Sequence, residues 1–167
     1  MRHHAVSIAA LAAFSLAPGL AYAQAEATKT PVPYNQVLST NPIGLPFLWF
    51  NGEYERKLEG ATTWGVSAAF LQDAEYSNTR LVLRYYPQRA AFDGFYVGGH
   101  AGVFHAGHAR NNSLGAGVEI GHAWLLGPNR NVSVSIGFGA TRLFGHDWYD
   151  GPVVLPTPRL VNVGIAF

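Results

Sequence analysis

The chain has no cysteine, which excludes a disulfide scaffold, a thiolate metal site and a lipid-carrying N-terminal cysteine. It is also poor in charge. Asp, Glu, Lys and Arg together make up 13% of its 167 residues, no more than the aromatics do. Eleven basic residues against ten acidic ones leave no concentrated basic surface, so no nucleic-acid partner is expected. Beyond the N-terminus, no apolar run approaches the roughly 20 residues that a transmembrane helix requires. An apolar chain without such a run is either a dense soluble β-domain or a barrel whose apolar face meets lipid.

The first residues have the pattern of an export signal. Met1, Arg2, His3 and His4 give a short basic start, Ala5 to Leu20 an apolar stretch, and Ala21-Tyr22-Ala23 a small-x-small cleavage site. The alternative, an uncleaved anchor helix, is disfavoured because Pro18 and Gly19 break a stretch that is already short for a span. Cleavage after Ala23 removes 23 of 167 residues and leaves 144, the size of one domain. Arg2 goes with them, leaving ten basic residues against ten acidic ones. Residues 24–35 carry Pro31 and Pro33 and are expected to form a flexible lead-in to a barrel over 36–167.

From there the chain alternates with period two, the signature of strands. Seven runs stand out, over 47–58, 61–72, 76–86, 93–105, 113–125, 131–144 and 159–167. Each is near the ~9–11 residues that cross a bilayer at a tilt. In the sixth, Val132, Val134, Ile136, Phe138 and Ala140 oppose Ser133, Ser135, Gly137, Gly139 and Thr141. The last sets Val161, Val163, Ile165 and Phe167 against Leu160, Asn162, Gly164 and Ala166. An open seven-stranded sheet would expose edges that lipid does not tolerate, and barrels of this kind have an even strand number. An eighth strand is therefore placed at 36–43, with Gly44-Leu45-Pro46 as its turn.

A soluble barrel turns its apolar face inward and covers its outside with well-solvated charges. Here the second face is mainly glycine, serine, alanine and threonine, which fit the crowded interior of a narrow barrel. The large apolar face then points outward. Aromatics gather towards strand ends, with Trp49, Phe50, Phe70, Phe144, Trp148 and Tyr149 at one rim. Tyr85, Tyr86, Phe95, Tyr96, Trp124 and Phe167 lie at the other. Two such girdles mark membrane–water interfaces, and Trp49, Phe50, Tyr85, Trp124, Trp148 and Phe167 are the residues assigned to that role. If Phe167 ends at the periplasmic rim, the turns at 59–60, 87–93 and 127–129 are periplasmic, and 72–75, 105–112 and 145–158 face outside. The expected fold is an all-β closed antiparallel transmembrane β-barrel of eight strands, in the outer membrane of a Gram-negative bacterium.

Two stretches carry a resemblance to known barrels. Leu160-Val-Asn-Val-Gly-Ile-Ala-Phe167 is similar to the C-terminal signal read by the barrel assembly machinery, with Val163, Ile165 and Phe167 in the signal positions. Residues 41–56, Asn-Pro-Ile-Gly-Leu-Pro-Phe-Leu-Trp-Phe-Asn-Gly-Glu-Tyr-Glu-Arg, resemble a widespread group of such barrels without established activity. Over 36–167 the chain looks like the small eight-stranded outer-membrane barrels typified by OmpX and the barrel domain of OmpA. The resemblance implies contact with outer-membrane lipid and lipopolysaccharide, passage through the assembly machinery, and no cofactor.

Glu53, Glu55, Arg80, Arg84, His100 and Glu119 all have interior parity. Charges in a narrow lumen satisfy one another, so these residues are expected to form an ion-pair network that plugs the barrel, with Arg84 pairing to Glu53 or Glu55. A sharper reading, suggested by the OmpA resemblance, is a gate that opens a narrow pore when partners swap. His100, His105 and His108, with His122 and His146 elsewhere, could bind Zn or Cu at a rim, but their spacing matches no established site. His108, Ser113 and Glu119 occur in the order of a nucleophilic triad, the basis of an alternative reading as a lipid A-modifying enzyme. The 145–151 loop, with Trp148, Tyr149 and two acids, suits recognition of a surface partner. The preferred expectation is a non-catalytic barrel with a structural or surface-interaction role.

Overall fold

The computed structural model describes residues 33–72, 76–88, 90–106, 112–145 and 153–167. Eight antiparallel strands close on themselves: β1 (Gln36–Thr40), β2 (Trp49–Lys57), β3 (Thr62–Leu71), β4 (Tyr76–Tyr85), β5 (Gly94–Ala106), β6 (Ser113–Leu126), β7 (Val132–Phe144) and β8 (Val153–Ala166). Each pairs with its sequence neighbours, and β1 seals the barrel against β8 from Val37↔Ala166 to Thr40↔Val163. The signal and most of the lead-in lie outside the described residues.

Period-two patterning becomes an inside and an outside. Along β6, Ser113, Gly115, Glu119, Ala123 and Leu125 are buried, while Leu114, Val118 and Ile120 are 64%, 67% and 54% exposed. The same outward row continues around the barrel through Leu81, Leu83, Phe138 and Ile165. The inner face of β6 and β7 is rich in glycine because bulky lumen groups from other strands lie across it. A Cβ on Gly121 or Gly137 would collide with the Tyr96 hydroxyl, and one on Gly117 would meet the His100 ring at 2.6 Å.

The ends of the chain differ from the sequence expectation. The first strand stops at Thr40 instead of running to Ile43. Proline at 42 cannot donate to a ladder, and Asn41 caps a 3-10 helix, Pro42–Phe47, by accepting from the Ile43 and Gly44 amides at 3.0 and 3.2 Å. The last strand begins at Val153, six residues before the expected start, and includes Pro156 and Pro158. It also carries a bulge. Ser135 pairs with Asn162 but Gly137 pairs with Arg159, so one extra residue enters β8 and its parity reverses there. Leu160, expected inside, is therefore 42% exposed, and Arg159 turns into the lumen.

One end of the barrel is plugged by the connection between β4 and β5. Ala90, Ala91 and Phe92 fold under the strands and pack with Val37, Leu125 and Ala166 into an apolar cluster. The Arg130 guanidinium donates to Asp93 at 2.6 Å and ties this connection to the turn between β6 and β7.

Candidate functional site

The lumen is organised around Arg84, which is 2% exposed. β4 projects it inward, and β2 and β6 bring carboxylates to meet it. Its Nη1 donates to Glu53 Oε1 and Glu55 Oε2, both at 2.6 Å, its Nε to Glu119 Oε1 at 2.5 Å, and its Nη2 to Glu53 Oε2 at 3.2 Å. The Tyr96 ring lies 5.1 Å from the guanidinium carbon. Glu55 Oε1 accepts from the Thr63 hydroxyl at 2.5 Å and from the Tyr86 hydroxyl at 3.0 Å. Glu53 also accepts from Arg159 Nη1, whose Nε donates to Ser135 Oγ at 3.1 Å. Each of the three carboxylates accepts from the Arg84 guanidinium, and Glu53 and Glu55 accept further bonds, so the buried charges are paired.

Of the six residues assigned to the lumen, the structure brings Glu53, Glu55, Arg84 and Glu119 into this network. His100 stands at its border. Its Nε2 lies 2.6 Å from Thr141 Oγ1 and its Nδ1 3.8 Å from Glu119 Oε2, too far for a hydrogen bond. Arg80 faces the same lumen farther along and makes no ion pair among the described residues. Arg159, Tyr86, Tyr96 and Thr63 belong to the network and were not singled out from the sequence. Arg159 was hidden by the bulge, which period-two reading cannot see. Tyr86 and Tyr96 have interior parity, yet their position near strand ends suggested a girdle. Both are 1% exposed and pack together with ring centroids 5.7 Å apart and ring planes tilted by 51°.

Among the assigned interface aromatics, Phe50, Tyr85 and Phe167 are exposed on the outside, and Trp124 is half-buried beside the His122 ring. Trp49 departs from that role. It shares the parity of Glu53 and lines the lumen, with its indole N–H buried. Trp148 lies outside the described residues. In the C-terminal segment, Val163, Ile165 and Phe167 all point outward, and Phe167 exchanges backbone hydrogen bonds with Gln36 at 2.9 Å each way.

The proposed triad does not assemble. Ser113 and Glu119 stand on one strand six residues apart, a span of about 20 Å. Glu119 is committed to Arg84, and His108 lies outside the described residues. Of the other histidines, His105 meets Asn112 at 3.0 Å and His122 packs on Trp124, so neither joins His100. His146 lies outside the described residues.

Removing Arg159 tests the division of labour. In Arg159→Met, Glu53 keeps both of its bonds to Arg84, so the expected loss is modest, about 1.5–3 kcal/mol in urea unfolding of the micelle-refolded barrel. A loss above about 3 kcal/mol, the range for removing one partner from a buried ionic cluster, would show that the two arginines act as one unit.

Compared with family models, curated proteins and solved structures, the chain matches none.

Proposed function

We propose that this chain is an integral outer-membrane barrel with a structural or surface-interaction role and no catalytic activity. The observation that carries the reading is the outer surface. Large apolar side chains stand exposed on strand after strand, among them Leu38, Phe70, Leu81, Val103, Val118, Phe138 and Ile165. Soluble monomers rarely expose apolar patches beyond a few hundred Å². A belt that encircles a barrel is what hydrocarbon requires of it. The apparent export signal and the outward-facing Val163, Ile165 and Phe167 support the same location, with lipid and lipopolysaccharide as neighbours and the assembly machinery as a transient partner.

The lumen argues against a pore. The ion-pair network fills its middle and the 90–93 connection its end, with a void of only about 10 Å³ between them.

Expressed as the full precursor in a Gram-negative host, the protein is expected in the outer-membrane fraction, with a different gel mobility before and after boiling. Purified and placed in planar bilayers, it should give no conductance above the lipid background, and lipid A mass spectra from the host should be unchanged. Recovery in the soluble periplasmic fraction would sink the membrane reading. A gained or lost acyl chain would sink the non-catalytic one.

A further inference from the structure

Above the network, away from the plug, the lumen opens into a cavity of about 340 Å³. That is within the range of small-molecule sites, about 300–1,000 Å³. β2, β3 and β4 line one side of it, and the Leu155–Arg159 stretch of β8 lines the other. Its existence does not depend on where the barrel resides.

Nine buried side-chain polar atoms lack a hydrogen-bond partner among the described residues, and six of them line this one cavity. They are Trp49 Nε1, Ser67 Oγ, Asn78 Oδ1, Arg80 Nε, Thr157 Oγ1 and Asn162 Oδ1. Ser67, Asn78 and Asn162 are only 4%, 9% and 3% exposed. Folded interiors leave few such atoms, so their concentration in one place points to a partner that meets them.

The chemistry of the six atoms narrows that partner. Two donate only, the Trp49 and Arg80 N–H groups. Two accept, the Asn78 and Asn162 amide oxygens, the Asn78 Nδ2 being turned towards the Tyr76 hydroxyl at 3.1 Å. The two hydroxyls do both. A carboxylate or phosphate accepts only and would leave the amide oxygens unmet. Charge points the same way. Arg80, Arg84 and Arg159 already balance Glu53, Glu55 and Glu119, so an anion would unbalance the lumen. We infer that this cavity binds a neutral, hydroxyl-bearing group of the kind a pyranose sugar presents.

The group could arrive in two ways, as a free sugar along the lumen or as the headgroup of an amphiphile through the wall. The wall has a seam. Above Thr40 no strand stands between β2 and β8, and the 3-10 helix Pro42–Phe47 fills the gap. Both edges of the gap, Trp49 and Asn51 on β2 and Leu155 to Arg159 on β8, also line the cavity. Pro156 and Pro158 lie on the β8 edge while β8 stays paired to β7 through both of them. Their nitrogens therefore face the seam, where a missing N–H leaves no donor unmet.

The test uses the indole N–H signals of the four tryptophans in the protein refolded in dodecylphosphocholine micelles, with Trp49→Phe identifying the cavity signal. Glucose, octyl glucoside and glucuronate are titrated separately. A saturable shift of the Trp49 signal, with Trp64 and Trp124 unmoved, is the expected result. If glucose produces it, the source is a free sugar; if only octyl glucoside does, the source is a headgroup entering at the seam. Asn78→Ala, checked for native gel mobility, should weaken the response about five- to tenfold. Silence towards both sugars would mean that water alone meets the six atoms and would overturn the inference. So would an equal or stronger response to glucuronate, or an unchanged affinity in Asn78→Ala.

Discussion

Replacing Arg84 by methionine is expected to cost the barrel about 3–5 kcal/mol, the range for removing one partner from a buried ionic cluster. The reason is what stays behind. Glu53, Glu55 and Glu119 are 4%, 5% and 8% exposed, and Arg84 bonds all three. Without it, Arg159 holds Glu53 only, and Glu55 and Glu119 each lose the one cation they bond. At the usual urea dependence of about 1–3 kcal/mol per molar, the unfolding midpoint should fall by at least about 1 M. Adding Glu119→Gln to Arg84→Met should restore part of the loss, because it removes one stranded charge. Additive losses in the double variant would show that Glu119 and Arg84 are not coupled.

Phe92→Ala is expected to have the second large effect, about 3–5 kcal/mol, for a different reason. Phe92 is 1% exposed and meets the edge of Tyr86 with ring centroids 6.4 Å apart. Truncating it leaves a hole under the barrel where the connection cannot collapse, since Asp93 is held by Arg130. Tyr86 also donates to Glu55, so loosening the plug should be felt in the network. Even so, Phe92→Ala should stay non-conducting in planar bilayers, because Arg84 and its partners still block the lumen above. Ion current from Phe92→Ala alone would show that the plug, and not the network, is the barrier.

Much of this architecture can be read from the chain because a barrel wall has one simple rule. Inward and outward residues alternate, and along β6 and β7 that alternation is unbroken, so glycine and serine mark the inside and Val118, Ile120 and Phe138 the outside. The same rule gives the inward parity of Glu53, Glu55, Arg84 and Glu119. It fails where one residue is inserted. The bulge opposite Ile136 reverses β8, and with it Arg159 moves into the lumen and Leu160 out of it. Prolines misled at both ends of the chain in opposite senses. Pro42 ends β1 early, whereas Pro156 and Pro158 sit within β8 because its edge there has no neighbour to donate to. Tyr86, Tyr96 and Trp49 show a further limit. Position along a strand suggests an interface aromatic, but only depth in the lumen distinguishes a girdle from a stacking partner or a cavity wall.

The proposed membrane location requires that the outward face of this barrel meet lipid. The chain has no cysteine, so single-cysteine variants carry one nitroxide label each. Labels stepped along β6 at Leu114, Ala116, Val118, Ile120 and His122, in vesicle-reconstituted protein, can be read for collision with oxygen and with a water-soluble nickel chelate. High oxygen and low nickel accessibility are expected at Ala116, Val118 and Ile120, all three exposed on the outer face. High nickel accessibility at all three outward positions would place the apolar face in water and overturn the membrane reading.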